Sequence, residues 1–141
     1  MAGASELIVS LPGGRRVDVA VDGHVVHTDQ PKDNGGEDVA VSPFQLFLAS
    51  VGACAGIFVQ GFCAKRGLAY DGIRIAERAT YDAQGTLTGV DLEVRLPAEF
   101  PEKYREALLR VVDQCSVKKA IAAQPVFRVT AAAQQPAAHA A

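Results

Sequence analysis

Three thiols, two imidazoles and a pair of guanidinium groups are the side chains of this sequence with the most scope for chemistry. Cys54 lies inside the run "SPFQLFLASVGACAGIFVQGFCAKRG", Ser42 to Gly67, which carries no charge before Lys65. Cys63 lies in the same run, about 900° further round a helix and so half a turn out of phase. The two thiols therefore point to opposite faces and cannot bond within one helix. Cys63 reads as a small buried hydrophobe. Cys115 ends the apolar stripe Tyr104, Ala107, Leu108, Val111 and Val112, so it faces inward. It also precedes Ser116, a residue type suited to N-capping "VKKAIAA". A thiol at a helix start with Lys118 and Lys119 nearby has reasons for a lowered pKa, and an ordinary buried cysteine fits the spacing equally well. His24 and His27, three apart on a strand, face opposite sides, so the pair suggests no metal site. His139 lies in the tail. Arg15 and Arg16 follow a Gly-Gly turn and are surface charges by default. Asp29 and Glu37, in the loop before the uncharged run, read as solvated.

The elements that must position these groups follow from periodicity. "ELIVSL" and "RRVDVAVDGHVVHTD" alternate apolar and polar residues, with turns at Pro12–Gly14 and Asp22-Gly23, and predict a three-stranded N-terminal meander. In the uncharged run Ser42 is an N-cap, Pro43 fits the first helical position and Gln45 completes an S-x-x-Q capping box. Gly67 ends the helix, with Lys65 and Arg66 in its last turn. "IRIAERATYD" and "TLTGVDLEVRLP" predict a strand pair joined around "DAQG". "PEKYREALLRVVDQC" is an amphipathic helix, "SVKKAIAA" a short one, and "VFRVT" a last strand. The order βββ-α-ββ-αα-β predicts one α+β domain over residues 1–131, with residues 132–141 a frayed tail.

Composition bounds the function classes. The 141 residues are 49% hydrophobic and 21% charged, with net charge −2, which describes a globular domain with one core. There is no basic block, so nucleic acid and anionic membrane are not expected partners. There is no GxGxxG and no P-loop, and no cofactor is expected. The N-terminus lacks a charged region followed by an apolar stretch, which reads as a cytoplasmic protein. Three cysteines in that compartment suggest buried residues or reactive thiols more than a disulfide scaffold.

The uncharged helix is near the length of a membrane span. Its Gly, Ala and Ser content, with Gln45 and Gln60 inside it, argues instead for a buried helix. A domain this small rarely covers every face of such a helix alone. Gly52 and Gly56 are four apart, a spacing that lets two backbones approach closely, at about 1 kcal/mol of helix propensity each. A homodimer with this helix at or near its interface is the expectation.

"SPFQLFLASVGACAG" resembles the central helix of the OsmC/Ohr family, and "DQCSVKKAI" resembles that family's second cysteine motif, where the Cys usually precedes Pro. "DGHVVHTDQP" and "GGED" are similar to the upstream hairpin and loop of one OsmC-like branch. The match spans roughly Arg15 to Thr130. The resemblance implies an OsmC-like fold and an intertwined homodimer with its central helices back to back. It implies a thiol-dependent peroxidase for organic or lipid hydroperoxides. Cys54 would become a sulfenic acid, Cys115 would resolve it to a disulfide, and a small dithiol or lipoylated protein would reduce that disulfide. In peroxidase members a Glu ten residues before the first Cys orients an Arg that stabilises the thiolate. Here that position is Phe44, with uncharged Gln45 beside it. Arg15 is the first candidate for the Arg and Arg16 the second. Phe44, Phe47, Val51 and Phe58 would line an alkyl pocket. The alternative is a non-catalytic or weakly catalytic OsmC-like protein that binds a hydrophobic small molecule there.

Overall fold

The computed structural model describes residues 6–134; of the tail 132–141, expected to fray, residues 135–141 lie outside the described residues. β1 (Ile8–Gly13), β2 (Arg16–Val21) and β3 (His24–Thr28) form the antiparallel meander, in that order. The β2–β3 turn is Asp22-Gly23, both with positive φ, the geometry that matches the twist of a two-residue hairpin. A loop with one 3-10 turn, Lys32–Asn34, leads to α1 (Pro43–Ala64). β4 (Arg74–Tyr81) and β5 (Leu87–Arg95) form an antiparallel pair, followed by α2 (Glu102–Val112) and α3 (Ser116–Ala122).

α1 begins as its sequence dictates. The Ser42 N–H donates to Gln45 Oε1 at 2.8 Å and the Gln45 N–H donates to Ser42 Oγ at 3.2 Å, so two otherwise orphaned donors satisfy each other's residues. Its other end differs from the expectation. The helix stops at Ala64, Lys65 is the C-cap, and Arg66 lies beyond it. Gly67 supplies φ +64°, and the Leu68 N–H folds back to the Cys63 carbonyl at 3.0 Å. Arg66 still serves the helix end. Its guanidinium donates to the Phe62 carbonyl at 3.1 Å and stacks 3.7 Å from the Phe62 ring centre.

The core joins Ala55, Val59, Phe62 and Cys63 of α1 to Ile73, Phe100, Leu108 and Val112. α1, with a mean hydropathy of 1.9, is long and apolar enough to cross a membrane, but it supplies the centre of this core and packs on α2, α3 and β4. One side stays uncovered by its own chain: Ile57 is 67% exposed. Among the described residues the strands of the meander pack chiefly on one another and not on the helical body.

Two expectations fail here. "VFRVT" is not a strand, and Phe127 and Val129 are 87% and 97% exposed. Its pattern suits a sheet, but a strand needs a free edge to bond to, and among the described residues the segment leaves α3 without meeting one. Asp29 is not solvated but buried. Its Oδ1 accepts from the Gln30 N–H at 2.8 Å, and its Oδ2 from the N–H groups of Glu37 and Val39 at 3.1 and 3.3 Å. Burial alone would raise its pKa; the three N–H donors and the charge of Arg16 more than offset that, and the net shift is downward. The loop closes tightly around this carboxylate. A Cβ on Gly36 would stand 1.8 Å from the Gln30 carbonyl oxygen, so only glycine fits there.

Candidate active site at the α1–α3 contact

Cys54 sits in the fourth turn of α1, partly buried, on the side that meets the start of α3. α3 begins there because the α2 stripe ends in Val112 and Cys115, both buried, which draws the link between α2 and α3 down onto α1. Cys115, expected just ahead of an N-cap at Ser116, itself occupies the N-cap position, and Ser116 is the first helical residue. The reason is that Cys115 keeps a non-helical backbone, with φ −48° and ψ 120°, while its side chain is fully buried.

Four donors converge on the Cys54 sulfur. The Cys115 side chain is the strongest, followed by the Val117 N–H, with the hydroxyl and N–H of Ser116 adding to them. Ser116 Oγ lies 3.7 Å from Cys54 Sγ. Partial burial opposes ionisation, but the donors win and bring the Cys54 pKa from 9.0 to about 7. The help comes from the start of the neighbouring helix. Cys63 shows the contrast. Fully buried in the apolar core, it has its pKa raised, with Arg66 offsetting only part of the effect.

The other sequence-predicted residues are scattered. Arg15 and Arg16 are exposed on the meander and are not among the groups acting on Cys54. Arg15 borders a polar hollow with Gln30, Asp33, Asn34 and Gly35. The Gln45 side chain is engaged in the capping box at the first turn of α1, about 13 Å along the helix axis from Cys54. Lys118 and Lys119 turn toward the α2–α3 link, to Asp113 Oδ1 at 2.8 Å and Gln114 Oε1 at 2.9 Å.

Phe47 and Val51 do come together. They line a cleft of about 640 Å³ with Leu92 and Val94 of β5, Val112 of α2 and Ile121 of α3. Phe47 also borders a second apolar hollow with Val117, Ile121 and Phe127, next to the donors that serve Cys54. Phe44 lines neither; its half-exposed ring stacks between Phe47 and Tyr81, with centroids 5.6 and 6.4 Å away. Phe58 borders neither hollow.

Sequence reasoning missed Ser116, Val117 and Glu77. Ser116 and Val117 were legible only as a helix start, not as a start aimed at Cys54. Glu77 is the one acid on a β4 face otherwise apolar at Ile75 and Ala79, a break in alternation that the sequence does display. Its carboxylate lies over Gly52, where a Cβ would come 2.5 Å from Oε2, and its Oε1 is buried with no hydrogen-bond partner among the described residues. Gly52 thus makes room for a side chain of its own chain, whereas Gly56 faces open space.

The sequence matches the family model described as OsmC-like protein over residues 35–130. Among curated proteins, none matches it. Among solved structures, the chain is similar to an osmotic stress induced and detoxification response protein from Psychrobacter arcticus 273-4, with TM-score 0.72, 20% identity, and 85% of this chain and 90% of that one covered. It is similar to an OsmC-like protein from Mycoplasma pneumoniae, with TM-score 0.69, 12% identity, and coverage of 88% and 91%. An organic hydroperoxide resistance protein from Legionella pneumophila aligns with TM-score 0.54 and 23% identity over 86% and 91% of the two chains.

Proposed function

The chain belongs to the OsmC-like family, and from that premise we propose that it reduces organic hydroperoxides through Cys54 and Cys115. The observation that carries this reading is the lowered pKa of a partly exposed Cys54 whose strongest donor is the Cys115 thiol. A thiol with a pKa of about 7 is substantially ionised at neutral pH, and the thiolate is the nucleophile. It attacks the distal oxygen of ROOH, the O–O bond breaks, and the alkoxide takes a proton to leave as ROH. Cys54 is then a sulfenic acid. The Cys115 sulfur displaces its oxygen as water, forming a disulfide that a small dithiol or a lipoylated protein reduces. The apolar hollow beside Val117 and Phe47 suits the R group. Some solved structures of the same fold are named as organic hydroperoxide resistance proteins, which supports the substrate class.

The protein works as a homodimer on this reading, because α1 leaves Ile57 exposed and the meander lacks a core within its own chain. The partner's meander would then be the source of any arginine at Cys54, Arg15 or Arg16. Free thiols fit the reducing cytoplasm. A second reading, binding of a hydrophobic small molecule, is favoured by the cleft of about 640 Å³, which Cys54 does not line.

Peptide mass spectrometry after stoichiometric cumene hydroperoxide tests the two readings. A Cys54–Cys115 disulfide is expected, and hydrogen peroxide should be slower. If Cys54 remains a free thiol in folded protein, the binding reading replaces the enzymatic one.

A further inference from the structure

Ser116 follows Cys115 directly, and its side chain and backbone both address the other cysteine. Its hydroxyl oxygen lies 3.7 Å from Cys54 Sγ, within range of a hydrogen bond to sulfur. The hydroxyl is free for that contact, because the N-cap position of α3 is held by Cys115 and not by Ser116. A hydroxyl rotor can donate or accept. Opposite a thiol either atom could be the donor, but opposite a thiolate only the hydroxyl carries a proton to share. The contact therefore favours the ionised state over the neutral one, which is what activates a sulfur nucleophile. The Cys115 thiol also faces Cys54, but on the proposed reaction it is consumed when the disulfide forms. Ser116 is the side-chain donor that persists through the cycle.

Resting on the peroxidase reading above, we propose that Ser116 is a further catalytic residue, its hydroxyl donating a hydrogen bond to the Cys54 sulfur as that sulfur attacks the hydroperoxide. After the attack the same hydroxyl lies beside the new S–O bond. It can then hydrogen-bond to the oxygen that leaves as water when Cys115 closes the disulfide. No further reactant enters: Cys115 supplies the sulfur, and its own thiol proton completes the water.

Three substitutions separate this role from a structural one. Ser116→Ala removes the hydroxyl and keeps the N–H. Ser116→Thr keeps both. Ser116→Pro removes both, at a helical position where proline fits. Native-state iodoacetamide alkylation of Cys54 against pH reads the thiolate directly, and stopped-flow with cumene hydroperoxide reads the reaction. Ser116→Ala should move the alkylation midpoint up by about 0.5 unit or more, roughly a threefold loss of thiolate below the midpoint, and slow the peroxide reaction at least in proportion. Ser116→Thr should restore both, and Ser116→Pro should shift the midpoint further. An unchanged midpoint in Ser116→Ala overturns the proposal while leaving the peroxidase reading intact if the wild-type protein reacts. A wild-type protein that alkylates normally but does not consume hydroperoxide overturns the peroxidase reading, and the catalytic role of Ser116 with it.

Discussion

Cys54 ionises near pH 7 rather than 9.0 because Cys115, the Val117 N–H and Ser116 all stabilise the thiolate. The sign follows from that direction. Below about pH 7 the sulfur is protonated and slow; above it the thiolate dominates. Alkylation of the folded protein should rise with a midpoint near 7 and be confined to Cys54, since Cys63 is buried with a raised pKa and Cys115 is fully buried. Alkylation of Cys63 at a comparable rate would contradict the core assignment. The same shift links to stability. The folded pKa lies below the unfolded value, so this group's contribution is complete above pH 9.0 and is lost as pH falls through about 7. At this scale the thiols were legible in the sequence, as was the burial of Cys63. The donors to Cys54 were not, because Ser116 and Val117 reach it only through the docking of α3 on α1. Asp29 was misread for a related reason: three backbone N–H groups that bury it come from a loop closure that no local pattern announces.

α1 carries two further tests. Ser42→Ala removes the Oγ that accepts from the Gln45 N–H and should cost about 1 kcal/mol of stability, read as a lowered denaturation midpoint at unchanged slope. Gly56→Ala places a methyl in open space within the chain, so a chain acting alone should gain up to about 1 kcal/mol from helix propensity. If a second copy packs against α1 at Gly56, the dimer should instead dissociate at a concentration at least about tenfold higher, about 1.4 kcal/mol, measured by light scattering across a dilution series. Gly52→Ala is a poorer probe, because the Glu77 carboxylate occupies its space and can swing aside. Strands and helices with their own turn or cap signals were readable: the meander, the β4–β5 pair and the capping box all appear where periodicity and turn residues put them. The segment "VFRVT" was not, because alternation reports which side chains would share a face and says nothing about whether an edge is within reach.

Over 85 to 88% of its length the chain shares its fold with structures that are only 12 to 20% identical to it, so the architecture rests on pattern more than on particular residues. The organisation is uneven. The helical body has its own core around Leu108 and Cys63, while Leu7, Ile8, Val9, Leu11 and Val25 of the meander region remain more than half exposed. Light scattering at micromolar concentration should give about twice the 14.8 kDa chain mass. A monomeric mass would remove the dimer from the proposed mechanism, and with it any arginine from a partner's meander.

If the meander, whose strands pack chiefly on one another, finds its core in a second copy, its persistence is a matter of mass action. A sheet that finds its core in another molecule is ordered only as long as that molecule is bound. On dilution, the amide protons of β1 to β3 should begin to exchange with solvent deuterium before those of α1 and α2, at rates that depend on protein concentration. The helical amides should exchange at concentration-independent rates over the same range. A protein of this design would sense its own abundance, with the helical body folded by its own sequence and the meander by its neighbour.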